Sequence, residues 1–420
     1  MTFDTHSDFF TYKDKQLHAE AVPIADIVRE YGTPTYVYSR QAILEPFDGY
    51  QHGLNGLPHI ISFAVKSNGN VALMRLLAEK GAGADLTSGG ELFLALQAGI
   101  PADKIVFSGV GKTAAEIRYG LEAGILMFNI ESEPELETIA AIAKEMGKTA
   151  PVAVRVNPNV DAKTHPKITT GLRENKFGVP WEQCEELYLK AAEMENIEVR
   201  GIAAHIGSSL KDTKPLLDSL DRLMNLRQRL EEKGLSLPYV DIGGGLGIRY
   251  EQEAPKPARE YAEELKAKVE NSGATLILEP GRSILGNAAL LITEVQYVKR
   301  NPDRTFLVVD AAMNDLARPA IYGAFHEIVP VQEKPVSNEP VDVVGPICET
   351  SDTFGKERRL PECGRGDLLG ICSAGAYGFA MASFYNGRVR CAEVLVEGDQ
   401  HRLIRKRETM EDLLRNQVGA

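Results

Sequence analysis

Between residues 59 and 281, short apolar, β-branched runs alternate with longer amphipathic stretches rich in Ala, Leu, Glu and Lys. That alternation marks strands separated by helices in a parallel sheet. It predicts strands at 59–66, 83–87, 104–109, 125–130, 152–157, 199–207, 239–245 and 275–280. Eight such strands with intervening helices point to a closed (β/α)8 barrel of the TIM type. The flanks read differently. Short strand-like runs at 290–298, 305–309, 341–344 and 389–396 are punctuated by Gly and Pro. The expected organisation is an α/β barrel over residues 38–285 and a mostly β domain built from 1–37 and 286–420. A terminal helix is expected at 408–416.

The chain has 420 residues and a formal net charge of -12, which argues against nucleic acid or an anionic membrane as the main partner. Its five cysteines are an odd number without framework spacing, so no disulfide scaffold is expected. The N-terminus MTFDTHSDFF has neither a basic nor an apolar signal region, and no apolar run approaches a membrane span. A reducing cytosol is the expected compartment, and no metal is expected.

Barrel enzymes carry their chemistry at the C-terminal ends of the strands. Read that way, the predicted strands end on Lys66, on Asp85, near Arg155 and Asn157, on His205 with Ser208 just beyond, on Gly243, Gly244 and Gly245, and on Glu279 followed by Gly281 and Arg282. Lys66 closes the apolar run ISFAV; a desolvated amine there can form a Schiff base, and the alternative is a surface lysine. The glycines of DIGGGLG lack the directly following helix of a dinucleotide site, because Pro255 and Pro257 come too soon. Consecutive glycines after a seventh strand instead let backbone N–H groups approach a phosphate, or simply make a tight turn. SGVGKT resembles a P-loop end, but Val106 stands where the motif requires glycine, so that reading is rejected. Glu279 suits a pyridine nitrogen or an ion pair with Arg282. His205 suits stacking on a flat cofactor, acid–base work, or a satisfied core position. In GPICETSD, Cys348 beside Glu349 and Asp352 reads as a thiol proton donor or a small buried hydrophobe. Tyr377 lies in the glycine-rich turn SAGAYG.

FAVKSN (63–68), GAGADLTSGGEL (81–92), THPKITTGLRENKFG (164–178), AHIGSS (204–209), DIGGGLGI (241–248), EPGRS (279–283), MNDLARPAIYGAFH (313–326), GPICETSD (345–352) and GAYGFAMASFYN (375–386) occur in this order. With them the chain resembles the diaminopimelate decarboxylases, pyridoxal-phosphate enzymes of the alanine-racemase-like fold type. Departures are small: Phe63, Ser67, Thr350 and Ser373 stand where Tyr, Ala, Ser and Asp are usual. The resemblance implies decarboxylation of meso-2,6-diaminopimelate to L-lysine, the last step of bacterial lysine biosynthesis, with pyridoxal 5′-phosphate as cofactor. Lys66 would carry the cofactor as a Schiff base, with Asp85 nearby. His205 would stack on the ring and Glu279 would pair with its nitrogen. Ser208, Gly243, Gly244, Gly245, Gly281 and Arg282 would surround the phosphate, and Tyr377 would touch the cofactor. Arg282, Arg318, Tyr322, Glu349 and Tyr377 would contact substrate, and Cys348 would donate the proton. Cys348 and Glu349 would reach into a partner's site, which implies a homodimer.

The nearest rival is a decarboxylase of ornithine, lysine or arginine on the same fold, against which CETSD and ARPAIY speak. Racemases of this type face the pyridine nitrogen with arginine, whereas Glu279 is a carboxylate. A non-catalytic pyridoxal-phosphate-binding relative would be expected to consist of the barrel alone, or to lack Lys66 or Cys348.

Overall fold

In the computed structural model, which describes residues 3–160 and 176–419, all eight predicted strands are present. They are β1 (His59–Ala64), β2 (Gly83–Leu86), β3 (Ile105–Phe107), β4 (Met127–Ile130), β5 (Ala150–Asn157), β6 (Ile197–Ala203), β7 (Tyr239–Asp241) and β8 (Thr275–Leu278). Each pairs in parallel with its sequence neighbour, and β8 returns to β1 through Leu276–His59, so the ring closes. This is a (β/α)8 barrel. Six of the eight strands stop short of the sequence expectation. The overrun residues, Lys66, His205, the three glycines and Glu279 among them, have left the ladder. Apolar patterning does not register where the last cross-strand bond falls.

Val106, Met127, Ala153, Ala203 and Ile277 are fully or almost fully buried in one apolar cluster contributed by strands around the ring. The helices start where the strand-end loops supply a cap. Asn70, Ser88, Thr113 and Ser132 each accept a backbone N–H of the helix they open, which satisfies donors the first turn leaves free. Helix Arg40–Gly53 lies against helix Ala258–Val269. A Cβ at Gly53 would come within 2.5 Å of the Ala262 Cβ, so glycine is required for that approach.

The loop SGVGKT has a structural task. Lys112 Nζ donates to the carbonyls of Gly109 (2.9 Å) and Asn129 (2.8 Å) and to Glu135 Oε1 (2.6 Å). Lys112 and Glu135 side chains are 1% and 9% exposed. The lysine thus joins the ends of β3 and β4 beneath the surface.

The chain divides into two compact units: Pro46–Gly247 with Pro255–Ser283, and the remainder, to which Ile248–Ala254 belongs. The second unit is mostly β. Its sheet runs in the order Thr353–Arg358, Val341–Val344, Thr305–Val309, Ala289–Arg300, Thr35–Ser39, Ala392–Glu397, Gln400–Arg405. The central strand Ala289–Arg300 pairs with Thr35–Ser39 and Leu368–Ile371 along its first half and with Thr305–Val309 along its second, with a register shift between Val295 and Tyr297. Phe10, Leu17, Ile24, Ile27, Val37, Leu290, Ile292 and Val394 form its core. Two expectations are corrected. The terminal helix at 408–416 is only a 3-10 turn, Met410–Leu413, because exposed charged residues offer no apolar face to bury. The run expected from 389 begins at Ala392. Most of the motif THPKITTGLRENKFG lies outside the described residues. No helix among the described residues is long and apolar enough to cross a membrane.

Replacing Lys112 with Met leaves the nearly buried Glu135 carboxylate, in the first turn of helix Glu133–Glu145, without its cation. Loss of one partner of a buried pair costs about 3–5 kcal/mol. Denaturant unfolding of Lys112→Met should show a loss of that order.

Candidate active site

Within the barrel unit, the side chains anticipated at the strand ends converge. Lys66 sits in the single 3-10 turn Val65–Ser67 that follows β1. Ser67 Oγ donates to the Ala64 carbonyl and closes the turn. Lys66 Nζ donates to Asp85 Oδ2 at 2.9 Å; the lysine side chain is 36% exposed and the aspartate fully buried. One aspartate oxygen, Oδ1, is buried with no hydrogen-bond partner.

Two further carboxyls are buried with it. Asp241 accepts from Asn129 Nδ2 (3.0 Å) and from the Gly243 N–H (2.9 Å), and it hydrogen-bonds with Glu279. Burial pushes Asp241 up to about 6, and burial next to Asp241 and Asp85 pushes Glu279 well above the usual carboxylate range. Lys66 pulls Glu279 the other way, so the amine and the three carboxyls act on one another. At neutral pH the Asp241–Glu279 pair therefore retains a proton.

His205 lies just past β6, and its Nδ1 accepts the Gly244 N–H at 3.2 Å. The ring nitrogen that accepts carries no proton. Burial, with Lys66 and Arg155 nearby, also holds the imidazole far below its usual value. His205 is thus neutral. The glycines are needed for this seat. A Cβ on Gly243 would meet His205 Nδ1 at 2.6 Å, and one on Gly244 would meet the Glu279 carbonyl at 2.3 Å. Gly243 and Gly245 also have φ of +69° and +119°. Gly281 approaches Ala64 and Ser67 to 3.0 Å in the same way, which keeps the β8 loop against the lysine turn. Arg282 is buried and donates to Ser208 Oγ at 3.2 Å through Nη2. The Arg155 guanidinium bonds Glu131 at 2.7 Å and lies over the Phe177 ring.

The residues expected to contact substrate lie in the β-rich unit. Arg318 and Tyr322 share the short helix Arg318–Tyr322. Arg318 is buried, bonds His326 Nε2 at 2.8 Å and lies over the Tyr250 ring at 4.5 Å. Cys348 is exposed, so a small buried hydrophobe is not its role within the single chain. Its loop is held by Asp352, whose two oxygens accept the N–H groups of Met313 and Ile347, both at 2.7 Å. The Cys348 N–H donates to Asn386 Oδ1. Ser351 and Tyr385 hydroxyls donate to Glu349 at 2.6 and 2.7 Å, which lowers its carboxyl below the usual range. Tyr377 is left-handed, at φ +57°, as is Ser373. Non-glycine residues seldom hold that conformation unless their surroundings impose it.

The sequence pattern points to no role for Asp241, Asn129, Tyr385 or His326, and names Asp352 only as an acid beside Cys348. Of the first four, all but Asn129 stand inside quoted motifs, so membership in a motif was their only signal. Tyr250 had none.

A lysine amine beside a buried carboxylate, a protonated carboxyl pair, a neutral imidazole on a glycine loop and a buried Arg–Ser pair make a site for a flat, anionic, carbonyl-bearing cofactor. The orphaned Asp85 Oδ1 and the glycine positions that no Cβ could enter fit pyridoxal phosphate. Residues 40–286 match the family model of the pyridoxal-dependent decarboxylases, pyridoxal binding domain. The diaminopimelate decarboxylase of Pseudomonas aeruginosa is 48% identical over 406 residues, covering 97% of this chain and 98% of that protein. A crystal structure of diaminopimelate decarboxylase from Helicobacter pylori complexed with L-lysine has a TM-score of 0.90 at 42% identity, covering 93% of this chain and 98% of that one. A crystal structure of diaminopimelate decarboxylase from M. jannaschii in co-complex with L-lysine has a TM-score of 0.93 at 39% identity, with 99% of each chain covered. The chain belongs to the pyridoxal-dependent decarboxylases and, within them, to the diaminopimelate decarboxylase family.

The carboxyl pair makes a stability prediction. A carboxyl whose folded pKa is raised costs nothing below its unfolded value near 4; the cost grows as pH rises from there to the folded value and is constant above it. Cofactor-stripped protein should therefore lose thermal stability as pH rises from about 4, with the Asp241 share complete just above about 6 and the Glu279 share continuing beyond it. Asp241→Asn should flatten part of that slope, as read by melting curves across the range.

Proposed function

We propose that the chain decarboxylates meso-2,6-diaminopimelate to L-lysine and carbon dioxide, with pyridoxal 5′-phosphate as cofactor. The observation that carries this is 48% identity along nearly the whole length to a diaminopimelate decarboxylase, with the strand-end groups of that chemistry in place. When bound, the cofactor supplies an electron sink for the pair left by departing carbon dioxide.

Lys66 would hold the cofactor through Nζ, and Asp85, which accepts from that amine, orients it. Glu279 would pair with the ring nitrogen, and its hydrogen bond with Asp241 holds it in place. His205, fixed by the Gly244 N–H, offers a neutral flat face to the ring. Ser208, Arg282, Gly281 and the N–H groups of Gly243, Gly244 and Gly245 surround the phosphate. Tyr377 would touch the cofactor. Arg318 with Tyr322 takes the far carboxylate, with Arg282 and Tyr377 completing the substrate contacts, and Glu349 takes the far ammonium. As the carbon–carboxylate bond breaks, Cys348 gives its Sγ proton to the reacting carbon and leaves as thiolate, to be reprotonated from solvent.

Cys348 and Glu349 act in the partner's site, and the functional unit is a homodimer. Support comes from the exposed Ile321, Phe384 and Tyr385, at 43%, 42% and 45%, on the segments that carry Arg318 and bond Glu349. We assign cofactor binding to the barrel, expected at 38–285, and the substrate and interface roles to the domain expected from 1–37 and 286–420. Five free cysteines suit a reducing cytoplasm.

Offered meso-diaminopimelate, ornithine, lysine and arginine separately, the enzyme should release carbon dioxide from the first alone; comparable release from another would overturn the assignment. Cys348→Ala should lower kcat by about 100-fold or more with cofactor retained, the share expected of a general acid.

Lys66→Ala and Cys348→Ala chains should each be inactive alone. Refolded together, they should regain up to about a quarter of wild-type activity, because half the dimers are mixed and each holds one intact site. No recovery would place Cys348 in its own chain's site.

A further inference from the structure

Arg318 is held by a fixture built into the β-rich unit. His326 is completely buried, and its Nδ1 lies 2.8 Å from the Cys372 carbonyl. A carbonyl only accepts, so Nδ1 carries the proton. Its Nε2 lies 2.8 Å from Arg318 Nη1, and a guanidinium only donates, so Nε2 is the bare nitrogen. Both contacts can be made only by the neutral Nδ1–H tautomer. The same imidazole meets the Tyr250 ring edge-on at 5.4 Å, and Tyr250 in turn lies beneath the Arg318 guanidinium at 4.5 Å. The His326 backbone carbonyl accepts from Arg358 Nη2 at 3.0 Å, which anchors the histidine from behind.

We propose that His326 is a positioning residue which, with Tyr250, fixes the plane of the Arg318 guanidinium for the substrate's far carboxylate. The proposal rests on the reading of Arg318 as that carboxylate's partner. An arginine has five N–H donors on a planar fork, and bidentate recognition depends on which edge faces the ligand. His326 takes one donor on Nη1, and Tyr250 covers one face. Neither of these two contacts brings a negative charge to the guanidinium.

Inhibition by L-lysine and by 1,5-diaminopentane provides the test. Both have two amines, but only lysine retains the carboxylate that the reaction leaves in place. In His326→Asn, which keeps a donor toward Cys372 but withdraws the acceptor from Arg318, lysine inhibition should weaken by about tenfold or more. Inhibition by the diamine should change by less than about threefold, and KM for diaminopimelate should rise far more than kcat falls. His326→Gln, whose amide oxygen reaches the Nε2 position, should restore lysine inhibition to within about threefold of wild type. Tyr250→Leu should weaken lysine selectively while leaving His326 in place, and it serves if the Asn variant does not fold.

Equal weakening of lysine and the diamine in the Asn and Leu variants would make His326 and Tyr250 merely structural and overturn the proposal. So would unchanged lysine inhibition in both. Arg318→Met separates the two layers: if it leaves lysine inhibition intact, the reading of Arg318 itself fails. If it weakens lysine while the His326 and Tyr250 variants do not, only the positioning role fails.

Discussion

Three carboxyl groups and one lysine share a dry space at the mouth of the barrel. Asp85, Asp241 and Glu279 are all buried, and Lys66 is the amine that faces them. Ionising every carboxyl there is prohibitive in a low dielectric, so the Asp241–Glu279 pair keeps a proton. The arrangement is short of positive charge until a cofactor with a protonated ring nitrogen is present. Closure of the sheet makes the space dry, and the glycines after β7 and β8 let loop backbones close over it.

Two histidines, His205 and His326, are both locked neutral, by opposite means. His205 accepts a backbone N–H on Nδ1, whereas His326 donates its Nδ1 proton to a backbone carbonyl and accepts from an arginine on Nε2. Each is thereby a rigid fixture with one defined tautomer. Cys348, the proposed proton donor, is exposed by contrast. Its loop is braced by Asp352, which gathers the N–H groups of Met313 and Ile347.

Much of this was legible beforehand. The apolar alternation located all eight barrel strands, because a strand buried on both faces must be apolar and a helix must interrupt it to return the chain. The strand-end rule then named Lys66, Asp85, His205 and Glu279 without any knowledge of contacts. Strand termini were overrun, since losing a ladder bond leaves no trace in hydrophobicity. SGVGKT was rejected as a phosphate loop, and Lys112 instead proves to hold two strand-end carbonyls. The terminal helix failed because local helix-forming residues had no surface to pack on.

What the chain's own order of residues determined is therefore the barrel and which polar groups stand at each strand end. These follow from local periodicity and from residue type. Only the tertiary structure decided which groups hold those in place: Asp241 against Glu279, Gly244 against His205, and Tyr250 with His326 about Arg318. Protonation states and guanidinium orientation depend on contacts between residues far apart in the chain. No local pattern records them, because they come into being only when the loops are brought together.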